Sequence, residues 1–335
     1  MDEITGRLKE MYSRFPYPSR NQGEHRLKEL ANLLRLFAVE TGYDFRGKSV
    51  LDVGTGTGHR LIKAASYLPD TRFVAVDLCE PPLSIARATA REAGVTNVEF
   101  AQLDLLSDDA DLGQFDVVLC MGVLHHLPDP SAGIRRLVSL LERDGLLFTY
   151  LYGAPGSGER MRRKQMLSVL LGEDAGSFDA GLELVKALGW ASTPSYGWNL
   201  NADDESSAEA LIVDSYLNVN EELFDVERIV RDMQSSDLDS IMVYGITSGA
   251  GGLLLDTDLK AHSNILTHWT DMAGFLPTPD AVARYERLGL RERYRMVELA
   301  FQPNGYTVLA YRKPASKYFA PGGRVQRNAI DLDPS

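Results

Sequence analysis

The fold of this chain can be predicted from one stretch, Val50-Leu51-Asp52-Val53-Gly54-Thr55-Gly56-Thr57-Gly58. Its first residues are apolar except for Asp52, as in a buried strand, and a helical pattern begins directly after its last glycine. Glycines let the backbone turn sharply and approach a ligand closely, while the start of a helix exposes backbone N–H groups. The stretch therefore predicts a strand, a ligand-binding loop and a helix, although three glycines alone do not identify the ligand.

Short apolar runs alternate with amphipathic stretches from Gly47 onward. The runs predict five strands: Ser49–Val53, Arg72–Val76, Val98–Leu103, Phe115–Met121 and Leu146–Leu151. The stretches between them predict helices at His59–Tyr67, Leu83–Ala93 and Ala132–Leu141. Because strands that alternate with helices indicate crossover connections, the sequence predicts an α/β fold with a parallel sheet covered on both faces.

The flanking segments carry less regular patterns. Helices are predicted at Glu24–Thr41, Ala208–Val213 and Leu223–Met233, and a glycine-rich loop at Gly245–Gly252. Near the C-terminus, Arg295–Gln302 and Tyr306–Arg312 predict two strands of an antiparallel hairpin, because the connection between them is very short. We accordingly predict an N-terminal helical lid (1–45), a core (46–153 with 291–313), a largely helical insertion that caps the substrate (154–290) and a tail (314–335).

Composition limits the kinds of partner. The 335 residues carry a net charge of −12, which argues against a broad attraction to nucleic acid. Two cysteines, Cys79 and Cys120, are too few for a disulfide framework and predict free thiols in a reducing compartment. No secretory signal, membrane-spanning apolar run or metal-ligand spacing stands in the sequence. We therefore expect a cytoplasmic protein without a metal, acting on a small molecule rather than on nucleic acid or a membrane, as a monomer or a homodimer.

Acidic residues stand at the ends of three successive predicted strands, namely Asp52, Asp77 and Asp104. Parallel sheets bind ligands at these strand ends. A carboxylate at Asp52 would repel a pyrophosphate and attract a cofactor with ammonium and sulfonium centres. Asp77 is placed to accept both ribose hydroxyls, and Asp104 to accept an adenine amino group. Each acid alone is equally explained as a helix N-cap or a solvated loop residue, but together they favour an uncharged adenosine joined to an amino acid.

Several segments resemble the motifs of class I S-adenosylmethionine (SAM) dependent methyltransferases. They are Val50–Gly58, Val74–Asp77, Ala101–Leu105, Phe115–Leu127 and Leu141–Leu147, the last without the family's usual Lys-Pro-Gly-Gly turn. The resemblance implies a Rossmann-like sheet of seven strands, mostly parallel with an antiparallel last strand, and SAM as the cofactor. It also implies contacts of Gly54, Gly56 and Gly58 with the methionine part, of Asp77 with the ribose, of Asp104 with the adenine and of Met121 with the sulfonium side. Asp52, Thr55, Leu78, Leu105 and Tyr12 complete the predicted cofactor site.

The catalytic residues are less clearly indicated. The fourth strand ends without the Asn/Asp-Pro-Pro-Tyr motif of enzymes that methylate nucleic-acid amino groups. His125 and His126 follow it as candidate bases, and packing under the next loop is the alternative for either. The N-terminal segment with Tyr12 and Tyr17 resembles a lid that folds over the cofactor in some methyltransferases, where tyrosine faces attract a sulfonium. We take His125, Tyr17, Tyr152 and Tyr216 as the candidate catalytic residues.

Two features near the acceptor side remain open. The basic patch Arg160–Lys164 is either a solvated helix face or a clamp for a carboxylate, and the isolated His262 and His268 are expected to pack or face solvent. If the segment Asp214–Asn220 is extended, Asp214, Tyr216 and Asn218 share one face.

The function predicted from the sequence is methyl transfer to a small molecule. The alternatives are intramolecular cyclisation of SAM or aminocarboxypropyl transfer, and a non-catalytic binding role. A nicotinamide dehydrogenase is disfavoured by the glycine spacing.

Overall fold

The computed structural model describes residues 2–18, 27–106, 111–190, 205–247, 272 and 275–332. These residues form eight strands: β1 (Ser49–Val53), β2 (Arg72–Asp77), β3 (Val98–Gln102), β4 (Phe115–Met121), β5 (Leu141–Tyr152), β6 (Ser240–Thr247), β7 (Gly305–Tyr311) and β8 (Ile330–Asp331). They pair in one sheet in the order β3-β2-β1-β4-β5-β7-β6-β8. Strands β1 to β5 are parallel, whereas β7 runs antiparallel to both β5 and β6. The predicted Rossmann-like sheet is confirmed, with β8 as a short additional edge strand.

The described helices connect these strands and cover the sheet. They are α1 (Glu3–Arg14), α2 (Glu29–Thr41), α3 (His59–Tyr67), α4 (Glu80–Glu92), α5 (Pro130–Ser139), α6 (Gly158–Leu171), α7 (Phe178–Ala187), α8 (Glu205–Ile212), α9 (Val226–Gln234), α10 (Pro279–Glu286), α11 (Leu290–Phe301) and α12 (Arg324–Asn328). Helix α3 has the predicted bounds, and α4, α5 and α9 lie within three residues of theirs. Helix α2 ends as predicted at Gly42, whose φ of 75° lets its N–H bond the Ala38 carbonyl.

The predicted C-terminal hairpin is wrong. Residues 290–301 form helix α11, and β7 pairs instead with β6, which lies inside the segment 154–290 that we assigned to the cap. The apolar residues Leu290, Val297 and Phe301 recur at helical spacing, so this face packs on the sheet. The same face buries Glu298, which accepts hydrogen bonds from the Tyr306 hydroxyl at 2.6 Å and from a backbone N–H of α9 at 2.8 Å. The spacing of apolar residues in this segment, from which we predicted a strand, is therefore that of a helix.

The core consists of two apolar layers on opposite faces of the sheet. Consecutive residues of β1 alternate between them: Leu51 packs with α5, α9 and α11, while Val50 packs with α2 and α3. A third, smaller cluster joins α1 to helices α6 and α7 and to residues 210–216, with Met11 and Val213 fully buried. The N-terminal helix is thereby held against the segment that follows β5.

The described residues contain no helix that is long and apolar enough to cross a membrane. The same part of the chain contains no group of three or more metal-ligating side chains. Residues 245–247 of the predicted loop Gly245–Gly252 belong instead to strand β6, and the rest of that loop, His262 and His268 lie outside the described residues.

Candidate functional site

A cavity of about 220 Å³ lies where the parallel strands end. Ten residues predicted for the site line it: Tyr12, Tyr17, Gly54, Gly56, Asp77, Leu78, Asp104, Leu105, Met121 and Tyr152. They come from α1 and the segment after it, the loop after β1 and the ends of β2, β3, β4 and β5. The remaining five predicted residues, Asp52, Thr55, Gly58, His125 and Tyr216, do not line it.

The glycine loop after β1 is in close contact with the lid segment and with helix α4. Gly56 has a φ of 57°, and a Cβ at this position would lie 2.1 Å from the carbonyl oxygen of Tyr17. The Thr57 hydroxyl also donates to the Pro18 carbonyl, so the lid segment Tyr17–Pro18 is seated on the loop. At Gly58 a Cβ would lie 2.7 Å from Ala86 in α4. The absence of a side chain at Gly58 therefore allows α3 and α4 to pack closely.

Gly56→Ala is expected to lower the free energy of unfolding by about 1–3 kcal/mol from backbone strain, with a further loss because the lid segment must move. Gly113→Ala is the matched control, since Gly113 has a φ of 73° and open space around its Cβ position. Chemical denaturation and calorimetric titration with SAM measure both effects. We expect weaker SAM binding in Gly56→Ala alone. Equal effects in the two variants would show that the contact with Tyr17 is unimportant.

Two of the three predicted acids face the cavity. Asp77 accepts the backbone N–H of Gly56 at 2.8 Å and that of Cys79 at 2.9 Å, and burial raises its pKa. Asp104 accepts the N–H of Leu106 at 3.0 Å and lies between two leucines on the wall. Asp52 is buried away from the wall, and desolvation raises its pKa to about 6. The predicted contact of Asp52 with an ammonium group is therefore not supported by its position.

A polar network forms the wall opposite the glycine loop. Tyr12 donates its hydroxyl hydrogen to Asp214 at 2.8 Å, and the Tyr152 hydroxyl lies 3.4 Å from the other oxygen of the same carboxylate. The amide nitrogen of Asn218 donates to the Tyr12 hydroxyl at 3.0 Å and lies 3.5 Å from His126 Nε2. The network connects the lid helix α1, the end of β5 and the segment after α8.

His126 presents one defined ring nitrogen to this network. Its Nδ1 lies 2.8 Å from the carbonyl oxygen of Asn220, which only accepts hydrogen bonds, so Nδ1 carries the hydrogen. Nε2 is consequently an acceptor. Burial lowers the pKa of His126, which keeps the ring neutral near pH 7. His126 thus has the tautomer and the charge state of a general base.

The structure places two of the predicted catalytic residues, His125 and Tyr216, away from the cavity wall. His125 is fully buried, stacks on Tyr152 with ring centroids 3.9 Å apart, and neither of its ring nitrogens has a hydrogen-bond partner within the described part of the chain. Residues 213–217 form a π-helical turn rather than an extended segment. This turn brings Asp214 and Asn218 into one network and directs Tyr216 into the apolar cluster around α6 and α7, where Arg163 Nη1 lies 3.4 Å from its hydroxyl.

Two residues of the basic patch on α6, Arg160 and Lys164, clamp a carboxylate of the protein itself, whereas Arg162 of the same patch is exposed. Arg160 forms a bidentate pair with Glu221, and the Lys164 ammonium lies 2.9 Å from the same carboxylate. The side chain of Glu221 is 1% exposed, and the Arg160 guanidinium also lies 5.2 Å from the centre of the Tyr152 ring. Arg160 lines the cavity, so the clamp supports its wall. The spacing of four residues between Arg160 and Lys164 was a signal for a shared helix face.

The chain is similar in sequence to known methyltransferases. Residues 51–147 match a family model described as a methyltransferase domain. The ubiquinone biosynthesis O-methyltransferase of Pseudomonas paraeruginosa is 32% identical over 182 residues, which cover 49% of this chain and 76% of that protein. The enzyme of the same name from Marinobacter nauticus is 37% identical over 120 residues, covering 35% of this chain and 49% of that protein.

A solved structure shares the fold. The structure of PKMT2 from Rickettsia typhi in complex with AdoHcy has a TM-score of 0.57 and 18% sequence identity, covering 89% of this chain and 55% of that one. The chain spans about half the length of the first curated relatives it matches.

Proposed function

The chain belongs to the class I SAM-dependent methyltransferase family, its cofactor is S-adenosylmethionine, and from this we propose that it methylates a hydroxyl group of a small-molecule acceptor. The observation that carries the proposal is His126, a neutral imidazole whose acceptor nitrogen belongs to the network on the cavity wall at the end of β4. The names of the O-methyltransferase relatives support a hydroxyl as the acceptor group.

The cavity wall fits this cofactor. Asp77 and Asp104 supply carboxylate acceptors at two strand ends, and Leu78, Leu103 and Leu105 supply apolar surface for an adenine. The arginines on the wall, Arg60 and Arg160, both lie beside glutamates, so among the described residues no unpaired cation offers a phosphate clamp. This donor set suits a cationic cofactor without phosphate.

The chain contributes positioning and a proton acceptor to the reaction. When bound, SAM supplies an electrophilic methyl group on its sulfonium. His126 Nε2 accepts the proton of the acceptor hydroxyl, while the Nδ1–H bond to Asn220 holds the ring in orientation. Asp214 fixes the hydroxyls of Tyr12 and Tyr152, which face the acceptor as oriented polar groups. Much of the rate then comes from holding the acceptor in line for displacement.

We further propose that the acceptor is enclosed by the lid and the cap. Tyr12 and Tyr17 come from the first 45 residues, and Asp214 and Asn218 come from the segment 154–290. Both cysteines, Cys79 and Cys120, are buried free thiols, which supports a reducing, cytoplasmic environment. The net charge of −12 supports a small molecule rather than nucleic acid as the substrate.

The proposal is tested by product analysis. The purified protein is incubated with SAM alone and with SAM plus a panel of phenols, catechols and amines, and the products are measured by mass spectrometry. S-adenosylhomocysteine together with a singly methylated hydroxyl compound is the expected result. Methylthioadenosine formed from SAM alone would establish intramolecular cyclisation of the cofactor, and methylthioadenosine formed only in the presence of an acceptor would establish transfer of the aminocarboxypropyl group to that acceptor. Methylation of the amines alone would reject the hydroxyl acceptor.

Asp77→Ala is expected to weaken SAM binding by about 1.5–3 kcal/mol, because charge-assisted hydrogen bonds to the cofactor and to the Gly56 N–H are lost. Asp52→Asn is the contrasting variant and is expected to leave the affinity unchanged, since Asp52 does not line the cavity. Isothermal titration calorimetry measures both variants. An equal loss in both would contradict the placement of the two acids.

A further inference from the structure

One side of helix α6 is apolar although it faces solvent. The exposed fractions are 53% for Met166, 80% for Val169 and 58% for Leu170, and the spacing of these residues places them on one side of the helix. The opposite side is buried, with Arg160 on the cavity wall and Leu167 in the small apolar cluster. A helix that packs by one side only normally presents polar residues on the other. The exposed apolar side of α6 therefore indicates a contact with another surface.

Charges of opposite sign flank this apolar side. Arg162 lies one turn before Met166, and the acidic turn Glu173-Asp174 follows the end of α6 at Leu171. All three charged residues are exposed, and none of them forms an ion pair within the part of the chain that the structure describes. The midpoint between positions 162 and 173 falls between residues 167 and 168, in the middle of the apolar residues 166, 169 and 170. The charges and the apolar residues thus share one centre.

A surface with this arrangement is complementary to itself when it is turned end for end. In a pair of copies related by a two-fold axis, residue i of one copy contacts residue j of the other, and j contacts i. Two antiparallel α6 helices would place Arg162 of each copy beside Glu173 and Asp174 of the other. A second copy would therefore cover the apolar residues and neutralise the charges at both ends.

We infer that the outer face of α6 forms a homodimer interface with a second copy of this chain. The outer face consists of Arg162, Met166, Val169, Leu170 and the turn Glu173-Asp174. A lipid surface matches this face less well, because helices that lie on membranes are rich in Lys and Arg on their polar side. Here two acids follow the helix, and the chain as a whole carries a net charge of −12.

The size of the face sets the strength of the dimer. A pair of single helices buries less than the roughly 1,600 Å² of a standard protein interface, so we expect a weak dimer with a dissociation constant of the order of micromolar. Sedimentation velocity across the micromolar range should show a reversible equilibrium between monomer and dimer. This equilibrium does not depend on the reaction that the protein catalyses.

Val169→Glu is expected to raise the dissociation constant of the dimer by at least about a hundredfold, because it places two like charges close to the two-fold axis. Val39→Glu is the matched control, since Val39 is 73% exposed on α2 and lies outside the proposed interface. The control should dimerise like the native protein. Circular dichroism checks that both variants fold, as expected for substitutions at exposed positions.

Charge reversal tests the antiparallel geometry. Arg162→Glu is expected to be monomeric, and so is a variant that combines Glu173→Arg with Asp174→Arg, because each then brings like charges together at both ends of the interface. An equimolar mixture of these two variants should recover the dimer, since each copy supplies the sign that the other lacks. A mixture that stays monomeric would contradict the two-fold pairing and with it the inference.

Three further results would overturn the inference. A native protein that stays monomeric throughout the micromolar range lacks this interface. A dimer that persists in Val169→Glu is formed by a different surface. A monomeric native protein that floats with vesicles of phosphatidylcholine and phosphatidylglycerol in equal parts, and loses this binding in Val169→Glu, uses the outer face of α6 to bind lipid.

Discussion

Glu221→Gln is expected to lower the free energy of unfolding by about 3–5 kcal/mol, because it leaves Arg160 and Lys164 without their shared counter-charge. The Glu221 side chain is 1% exposed, that of Arg160 is 6% exposed and that of Lys164 is 15% exposed. Water can therefore replace little of the lost interaction. Because Arg160 lies against Tyr152 on the cavity wall, the variant should also weaken binding of the acceptor.

The same cluster predicts how stability depends on pH. Burial alone would raise the pKa of Glu221, but the hydrogen bond from Arg160 and the charges of Lys164 and Arg160 lower it to about 2. A carboxyl group whose folded-state pKa is depressed stabilises the fold above its unfolded pKa and loses that contribution as the pH falls. The stabilisation by Glu221 is thus complete above about pH 4.5 and disappears towards pH 2. The Glu221→Gln variant has no carboxyl group at this position to become protonated. Its free energy of unfolding should therefore fall less than that of the native protein between about pH 4.5 and pH 2.

Urea denaturation at pH 7 and across the acid range measures both effects. Glu99→Gln is the matched control, since it breaks an ion pair in which Glu99 is 66% exposed and Arg72 is 56% exposed. Exposed pairs contribute at most about 1 kcal/mol, so this variant should remain close to the native protein. A comparable, small loss in both variants would show that the clamp on α6 does not stabilise the fold.

The parallel half of the sheet was predictable because its signals are local. Each of the strands β1 to β4 is a short, mainly apolar run followed by a turn, and each begins and ends close to its predicted bounds. The C-terminal part of the sheet was not predictable in this way. Apolar residues in a segment of this length are compatible with a helix, such as α11, and equally with a strand. Strand β7 pairs with β6, which lies some 60 residues earlier in the chain, and no local pattern specifies such a pairing.

The candidate site shows the same limit at the level of side chains. The placement of candidate residues at strand ends followed from topology: Asp77 and Asp104 line the cavity, and their contacts with a cofactor stay predictions. The choice between His125 and His126 depends on a single 3₁₀ turn at Leu124–His126, which points adjacent rings to different surroundings. Glu29 reaches the wall only through the packing of α2 on α3. Such residues could be recognised only after the tertiary contacts were known.

His126→Asn is expected to reduce kcat by about 10²–10⁴ with little change in SAM affinity, because it removes Nε2 and with it the proton acceptor. Asparagine keeps an N–H donor near the position of Nδ1, so the bond to the Asn220 carbonyl is largely retained. The measurement is steady-state methylation of the acceptor found in the product analysis, together with calorimetric binding of SAM to native and variant protein.

The pH profile distinguishes a base from a positioning residue. Desolvation lowers the pKa of His126, so it is neutral at pH 7 and becomes protonated only as the pH falls below about 6.5. In the native enzyme, kcat/KM should therefore fall on an acid limb below that pH and be flat around neutrality. His126→Asn should be slow and lack this limb. His125→Phe, which replaces a buried ring that has no hydrogen-bond partner among the described residues, should retain both the limb and most of the rate. An acid limb that persists in His126→Asn would assign the proton transfer to another group.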